Sequence, residues 1–322
     1  MKTYIYYGHG SIKLIEIYGH VIFIDPVYLF CEQTTLEDIK VYGTVTVIGN
    51  CEGMFRGTEC FKGDLSNWNM SGVRIMKDMF SETETFSGNI SKWDVSGVVN
   101  MEGMCMGSVR FTGDLSQWNV SNVKYMDHMF WETSYFTGDL SRWDVGNVVT
   151  MASMFNNSRD FKGDLSQWNV RSVTVMAYMF DGTPFDGDLS QWNVGSVEHM
   201  CGMFSGSAFN GDLSQWDVKN VVTMSNMFEH SRHFNGDLSQ WDVSSVTDMS
   251  QMFFGALKFN SNISGWDVSG VKKMDYMFYN ALKFNSNISG WDVSGVTSMW
   301  EIFHGSLEFN SNIYGWHISA EM

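Results

Sequence analysis

The chain has 322 residues, a net charge of −16 from 20 basic and 36 acidic side chains, an apolar fraction of 44%, 24 methionines, 13 tryptophans and 2 prolines. That apolar fraction can fill a large core and excludes global disorder. The acidic balance, with no basic block, speaks against nucleic acid and against anionic membrane surfaces as partners, and no apolar run reaches the roughly 18 residues of a transmembrane helix.

The N-terminus, MKTYIYYGHGSIKLIEIYGH, lacks the basic region, apolar stretch and small-residue cleavage site of a signal peptide. There is no lipobox cysteine behind it, so the expected setting is intracellular or a virion. Cys31, Cys51, Cys60, Cys105 and Cys201 are odd in number and form no Cys-x-x-Cys pair. They read as buried thiols of a reducing compartment, without a disulfide framework or zinc site. Residues 12–18 alternate in part, Tyr18-Gly19-His20 reads as a turn, and residues 21–24 read as a returning strand. Residues 1–50 are therefore expected to form a β-rich N-terminal cap, with a separate docking module as the alternative.

Residues 51–322 are a repeat array. A degenerate half-repeat carries Cys51, Met54 and Phe55, and eleven repeats follow from Phe61. The shared pattern is F-x-G-[DN]-[LI]-S-x-W-[ND]-V-S-x-V-x-x-M-x-x-M-F, and the last repeat is truncated. Its tryptophans are Trp68, Trp93, Trp118, Trp143, Trp168, Trp192, Trp216, Trp241, Trp266, Trp291 and Trp316, spaced by 24 or 25 residues. The two short repeats, 161–184 and 185–208, each lose a residue after Met-Phe and before the next Phe, a stretch that holds Pro184 in the first of them, which marks it as a loop. The Trp-x-Val spacing of two predicts a short strand, and the Val-x-x-Met-x-x-Met-Phe spacings predict a helical or 3₁₀ turn. The order Leu-x-x-Trp-x-Val matches the core of leucine-rich repeats. The expected fold is a leucine-rich-repeat-like solenoid, with a parallel β-sheet on one face and short helical or 3₁₀ turns on the other. The ten tryptophans from Trp68 to Trp291 would form its structural ladder.

The phrases FNGDLSQWDVSSVTDMSQMF (234–253) and FNSNISGWDVSGVKKMDYMF (259–278) resemble the 25-residue repeats of BspA-like bacterial surface proteins, which also occur in mycoplasma lipoproteins and in large DNA viruses. The resemblance covers residues 61–322. It implies a solenoid used for protein contacts and brings no catalytic residues with it.

Two acidic columns run through the repeats. Asp114, Asp139, Asp164, Asp188, Asp212 and Asp237 follow Gly, and Asn89, Asn262, Asn287 and Asn312 share their column. Asn keeps the acceptor and drops the charge, so turn capping is favoured over a calcium ladder. The column after Trp, such as Asp94, Asn119 and Asp144, is expected to line the solvent face of the sheet, as a solvated ladder or a docking face for a basic partner. The eight histidines occupy different repeat positions and share no ligand set. No nucleotide or nucleophile motif occurs. The expectation is no enzyme, no cofactor and no metal.

Departures from the consensus are the candidate contact residues. Trp131, Phe254 and Tyr279 stand just after Met-Phe, and Tyr276, Trp300 and Trp316 stand nearby or in the last repeat. Aromatics at such positions either pack along the outer surface or meet a partner. The final repeat stops after Trp316-His317-Ile318-Ser319 without a closing turn, so self-association through an uncapped C-terminal end is also expected. The function that follows is a non-enzymatic protein-interaction or structural scaffold, for instance part of a large assembly such as a virus particle. The alternative is an exported surface adhesin of the BspA type.

Overall fold

The computed structural model describes residues 12–316. The chain divides into two compact units, Met1–Gly163 and Asp164–Met322. The first opens with three parallel strands, β1 (Leu14–Ile24), β2 (Asp38–Asn50) and β3 (Asn69–Ile75), ordered β1-β2-β3. Branched and aromatic residues at alternate positions bury one face, through Ile17, Val21 and Phe23 on β1 and Ile39, Val45 and Val47 on β2.

The strands meet in register from Leu14↔Asp38 to Ile24↔Ile48, an offset of 24 residues. The hairpin expected at Tyr18-Gly19-His20 is absent, because β1 runs straight through it. Gly19 (φ 81°) faces Gly43, and a Cβ built on Gly43 would lie 1.8 Å from the Gly19 carbonyl oxygen. The two glycines let the backbones pass closely; they do not reverse the chain. Residues 1–11 of the expected cap lie outside the described residues.

The leucine-rich-repeat-like solenoid is overturned. Among the described residues there is no helix of either kind, and extended sheet is confined to the three strands. Beyond them, single bridged pairs recur at the repeat spacing. They are Ile75↔Asn100, Asn100↔Tyr125 and Tyr125↔Thr150 in the first unit, and Val175↔His199 through Lys273↔Ser298 in the second.

Both corrections have the same cause, which is where the backbone N–H groups go. Around the Trp-x-Val segment they are used locally. Trp118 N donates to Leu115 O at 3.1 Å and Val123 N to Val120 O at 2.9 Å. Asp114 Oδ1 takes the Ser116 N–H at 2.9 Å, and Asn119 Oδ1 takes that of Ser121 at 3.1 Å. Few donors are left for a ladder in this repeat, so the strand that the first repeat forms as β3 does not recur here. In the Met-x-x-Met-Phe run the donors alternate. The N–H groups of Met126, His128, Phe130 and Glu132 reach carbonyls of the next repeat, at Thr150, Ala152, Met154 and Asn156. Those of Met129, Trp131 and Thr133 turn back three residues, to Met126, His128 and Phe130. A helix keeps every such bond within the segment. Here half are sent to the neighbouring repeat, and positive φ at His128 (57°) and Glu132 (55°) interrupts the helical backbone.

All eight consensus apolar positions are buried. In residues 111–135 these are Phe111, Leu115, Trp118, Val120, Val123, Met126, Met129 and Phe130, none more than 4% exposed. Ordering one segment of this length costs about 1.5 kcal/mol per residue, so each repeat depends on burial against its neighbours.

Candidate interaction surface

The tryptophan column is structural in its geometry. Trp93 Nε1 donates to Leu65 O at 2.9 Å, and Trp192 and Trp216 donate to Leu165 and Leu189 at 2.9 and 3.0 Å. Each indole thus reaches back to the preceding repeat. The 24-residue repeats keep this bond because their missing residue lies in the loop near Pro184. Trp241, Trp266 and Trp291 repeat the arrangement, with ring centroids 6.4 Å apart and planes within 3°. In the first unit Trp118 and Trp143 donate to Ile90 and Leu115. Trp68 is buried in the first unit and Trp168 in the second.

Both acidic columns cap turns. Asp188 Oδ1 accepts from Ser190 N at 2.9 Å, Asn262 Oδ1 from Ser264 N at 3.1 Å, and Asp292 Oδ1 from Ser294 N at 3.0 Å. The second column is therefore no ladder on an extended sheet, although its side chains are exposed. Hydrogen bonds from Ser190 hold the Asp188 carboxyl below its ordinary range. The Ser294 bonds do the same for Asp292. Burial pushes the Cys51 thiol up to about 12 and the Cys105 thiol up further, so neither is a thiolate nucleophile at neutral pH. Among the described residues no group of three or more His, Cys, Asp or Glu side chains could hold a metal ion.

The second unit brings several candidate aromatics together. Phe254 stacks on Tyr279 at 4.8 Å and 5°, and Tyr279 stacks on His304 at 4.8 Å and 13°. His230 meets Phe254 edge-on at 5.1 Å, and Tyr276 meets Tyr279 at 6.0 Å. Phe254, Tyr279 and His304 thus form a stacked row, with His230 and Tyr276 meeting it edge-on. Trp300 joins through its backbone, accepting from Tyr276 N at 2.7 Å and donating to Asp275 Oδ1 at 2.9 Å. Its side chain is 59% exposed, whereas Phe254, Tyr276 and Tyr279 are half-buried. Charges of both signs flank this group, including the Lys283–Glu308 pair and Glu229, 3.9 Å from His230 Nε2.

Trp131 and Trp316 do not join this group. Trp131 lies in the first unit, 5.5 Å from the His128 ring, with a buried Nε1 that has no partner. Trp316 stacks on Trp291 at 6.3 Å and belongs to the tryptophan column, its own Nε1 unpartnered. The segment after it, 317–322, lies outside the described residues.

The same repeats depart from the earlier ones at a further position, which carries no aromatic signal. Leu257, Leu282 and Leu307 stand three residues beyond Phe254, Tyr279 and His304, where earlier repeats have Ser134, Arg159 or Arg232; Leu307 is 80% exposed. A hydroxyl column was also missed. Thr83 and Thr133 donate to Phe55 O and Cys105 O at 3.0 and 2.9 Å, and Ser158 and Ser306 make the same bond. A small hydroxyl residue three places after most Met-Phe pairs was its signal; Ala256 and Ala281 replace it in two repeats. On the outer sheet face, Tyr18 and Tyr42 stack at 4.7 Å beside exposed Ile22 and Ile24.

The geometry defines a repeat-domain protein with surface-exposed aromatics, and among the described residues no helix is long and apolar enough to cross a membrane. Residues 49–168, 151–257 and 224–322 each match one family, described as "Mycoplasma protein of unknown function, DUF285". These matches take in most of the chain, and it belongs to that family. No curated protein sequence matches it significantly. The solved structure "Crystal structure of TLR13-ssRNA13 complex" aligns at 10% identity with a TM-score of 0.19, over 92% of this chain and 58% of that one. A likeness that slight carries no argument.

Proposed function

We propose that this chain is a non-enzymatic protein that binds another protein through the group of Phe254, Tyr276, Tyr279, His304 and Trp300. The supporting observation is the run of Phe254, Tyr279 and His304 at one position in three adjacent repeats, with Tyr276 and Trp300 beside it; most earlier repeats carry a polar residue there, Met106 and Trp131 being the exceptions. Buried repeat positions are set by packing, but these outward ones are not, and aromatics at such sites are the usual anchors of protein contacts. Residues 1–50 serve in this reading as the β-rich cap of the repeat region 51–322. The resemblance to BspA-like repeats supports a protein-contact role. Two settings divide it, a structural part of an assembly such as a virus particle and an exported surface adhesin; the Mycoplasma named in the family description favours the bacterial one.

The test is site-specific photo-cross-linking in the native source from position 300, compared with position 132 in the first unit. A defined protein adduct from 300 alone, lost in a Tyr279→Ser/Trp300→Ser variant whose melting is unchanged, supports the reading. Equal adducts from both positions, or an adduct that survives the double substitution, refute it.

A further inference from the structure

Asp186, Asn210, Asn235, Asn260, Asn285 and Asn310 occupy one position in successive repeats of the second unit, and their side chains form a ladder. Each Oδ1 accepts the backbone N–H of the next member. Asn210 N reaches Asp186 at 2.8 Å, Asn235 N reaches Asn210 at 2.9 Å and Asn260 N reaches Asn235 at 2.7 Å. Asn285 and Asn310 continue the series at 2.8 and 3.1 Å.

Only two of these asparagines precede glycine, in Asn210-Gly211 and Asn235-Gly236; serine follows Asn260, Asn285 and Asn310. Both glycines sit close to a ring. A Cβ on Gly211 would lie 2.7 Å from the Phe209 ring, and one on Gly236 would lie 3.0 Å from the Phe234 ring and 3.2 Å from Gly211 O. The ladder holds the asparagine acceptor at each rung, and at Asn210 and Asn235 the residue that follows it is glycine, which leaves the backbone nitrogen open to approach. Both asparagines are exposed to water.

We propose that Asn210 and Asn235 are sites of spontaneous deamidation in the folded chain. The Gly236 nitrogen gives up its proton to solvent base and attacks Cγ of Asn235. The Gly N–Cγ bond forms, the Cγ–Nδ2 bond breaks, and ammonia leaves. Water then opens the cyclic imide at either carbonyl, giving aspartate or isoaspartate. The negative charge of the tetrahedral intermediate falls on Oδ1, which already faces the Asn260 N–H at 2.7 Å, as an oxyanion donor would. Asn210 stands in the same relation to the Asn235 N–H. The aspartate product keeps the acceptor, as Asp186 does one rung earlier. The isoaspartate product routes the main chain through one extra carbon and loses register with the repeats on both sides.

The full-length chain is held folded at mildly alkaline pH beside the same chain in urea, and each asparagine is followed by peptide mapping with fragmentation that separates isoaspartate. One aligned donor is worth about a hundredfold or more in related steps, which offsets the restraint of a fixed loop. The folded chain is therefore expected to lose the amides of Asn210 and Asn235 no more than about tenfold slower than in urea, with Asn260 and Asn285 intact. Retention of both amides in the folded chain while the unfolded chain loses them overturns the proposal. Equal loss at Asn260 and Asn285 overturns it as well.

Discussion

In the column before the second methionine, Tyr178 (φ 55°) lies over Gly202 (φ 58°), and a Cβ on Gly202 would sit 2.2 Å from Cδ1 and Cε1 of the tyrosine ring. Gly206 has nearly the same backbone (φ 59°), but nothing stands closer than 3.7 Å to its Cβ. The pair separates backbone strain from steric exclusion. Placing Ala in the left-handed region costs about 1–2 kcal/mol, offset by about 0.5–1 kcal/mol from a stiffer unfolded chain. Gly206→Ala should therefore cost about 0.5–1 kcal/mol. Gly202→Ala must also expel the ring, which adds the roughly 1–3 kcal/mol of overpacking, for a total of about 2–4 kcal/mol. Tyr178→Ala removes the obstacle, so the double variant should recover about 1–2 kcal/mol relative to the sum of the single changes. Urea denaturation of the four chains measures all of these terms. If Gly202→Ala costs no more than Gly206→Ala, or if the two sites add without coupling, the side chain of one repeat does not occupy the glycine slot of the next.

Trp192→Ala should cost about 3–5 kcal/mol, because a buried ring is lost along with the bond to Leu165 O; calorimetry showing an undiminished transition would contradict a core role. Glu132 pays the left-handed penalty on an exposed site (φ 55°), so Glu132→Gly should raise stability by about 0.5–1 kcal/mol, read as a higher urea midpoint. Thr133→Val should cost about 0.5–1.5 kcal/mol by removing the hydroxyl donor from the Cys105 carbonyl, which keeps the Ser108 N–H at 3.0 Å, and Thr133→Ser should restore most of it. Asp188 has its carboxyl held low by the Ser190 bonds, so its contribution is fully present above the ordinary carboxylate pKa of about 3.9 and fades as pH falls through the lower folded value. Asp188→Asn should remove that part of the acid sensitivity and lower neutral stability slightly, toward the level the native chain reaches once Asp188 is protonated, and melts across the acid range will show whether it does.

The buried positions were legible because Phe111, Leu115, Trp118 and their partners recur at every repeat, and substitution at a buried site is restricted in the same way each time. The backbone path was not. Spacings of three and four between Val123, Met126 and Met129 suit a helix equally well, and nothing in side-chain chemistry says that every second N–H will leave for the next repeat. The positive φ values gave a faint signal, since Gly103, Gly202 and Asn226 stand where a helix would disfavour them. In the N-terminal segment Phe30 and Leu36 take the places of Phe55 and Phe61 in the same turn, with Tyr28 and Phe30 donating to Glu52 and Met54 at 2.8 Å. Without Trp or Met to announce it, that turn was hidden behind Tyr18-Gly19-His20. Phe254, Tyr276, Tyr279 and Trp300 could be grouped because they break the consensus in adjacent repeats. Trp131 breaks it too, but in the first unit, outside that run of adjacent repeats.

The side-chain links between repeats all have a direction. Indoles and buried hydroxyls reach toward the N-terminal neighbour, and the asparagine ladder takes its protons from the C-terminal one. A gene carrying such a chain can gain or lose whole repeats by unequal recombination without stranding a donor. Cutting out one repeat at matching points would set Trp241 opposite Leu189 instead of Leu213, and the same bond could form. Loss of half a repeat would set indoles against turns that offer no carbonyl in reach. Natural variation in length should therefore come in steps of 24 or 25 residues, and single-residue gaps should collect where Pro184 lies, outside every one of these links.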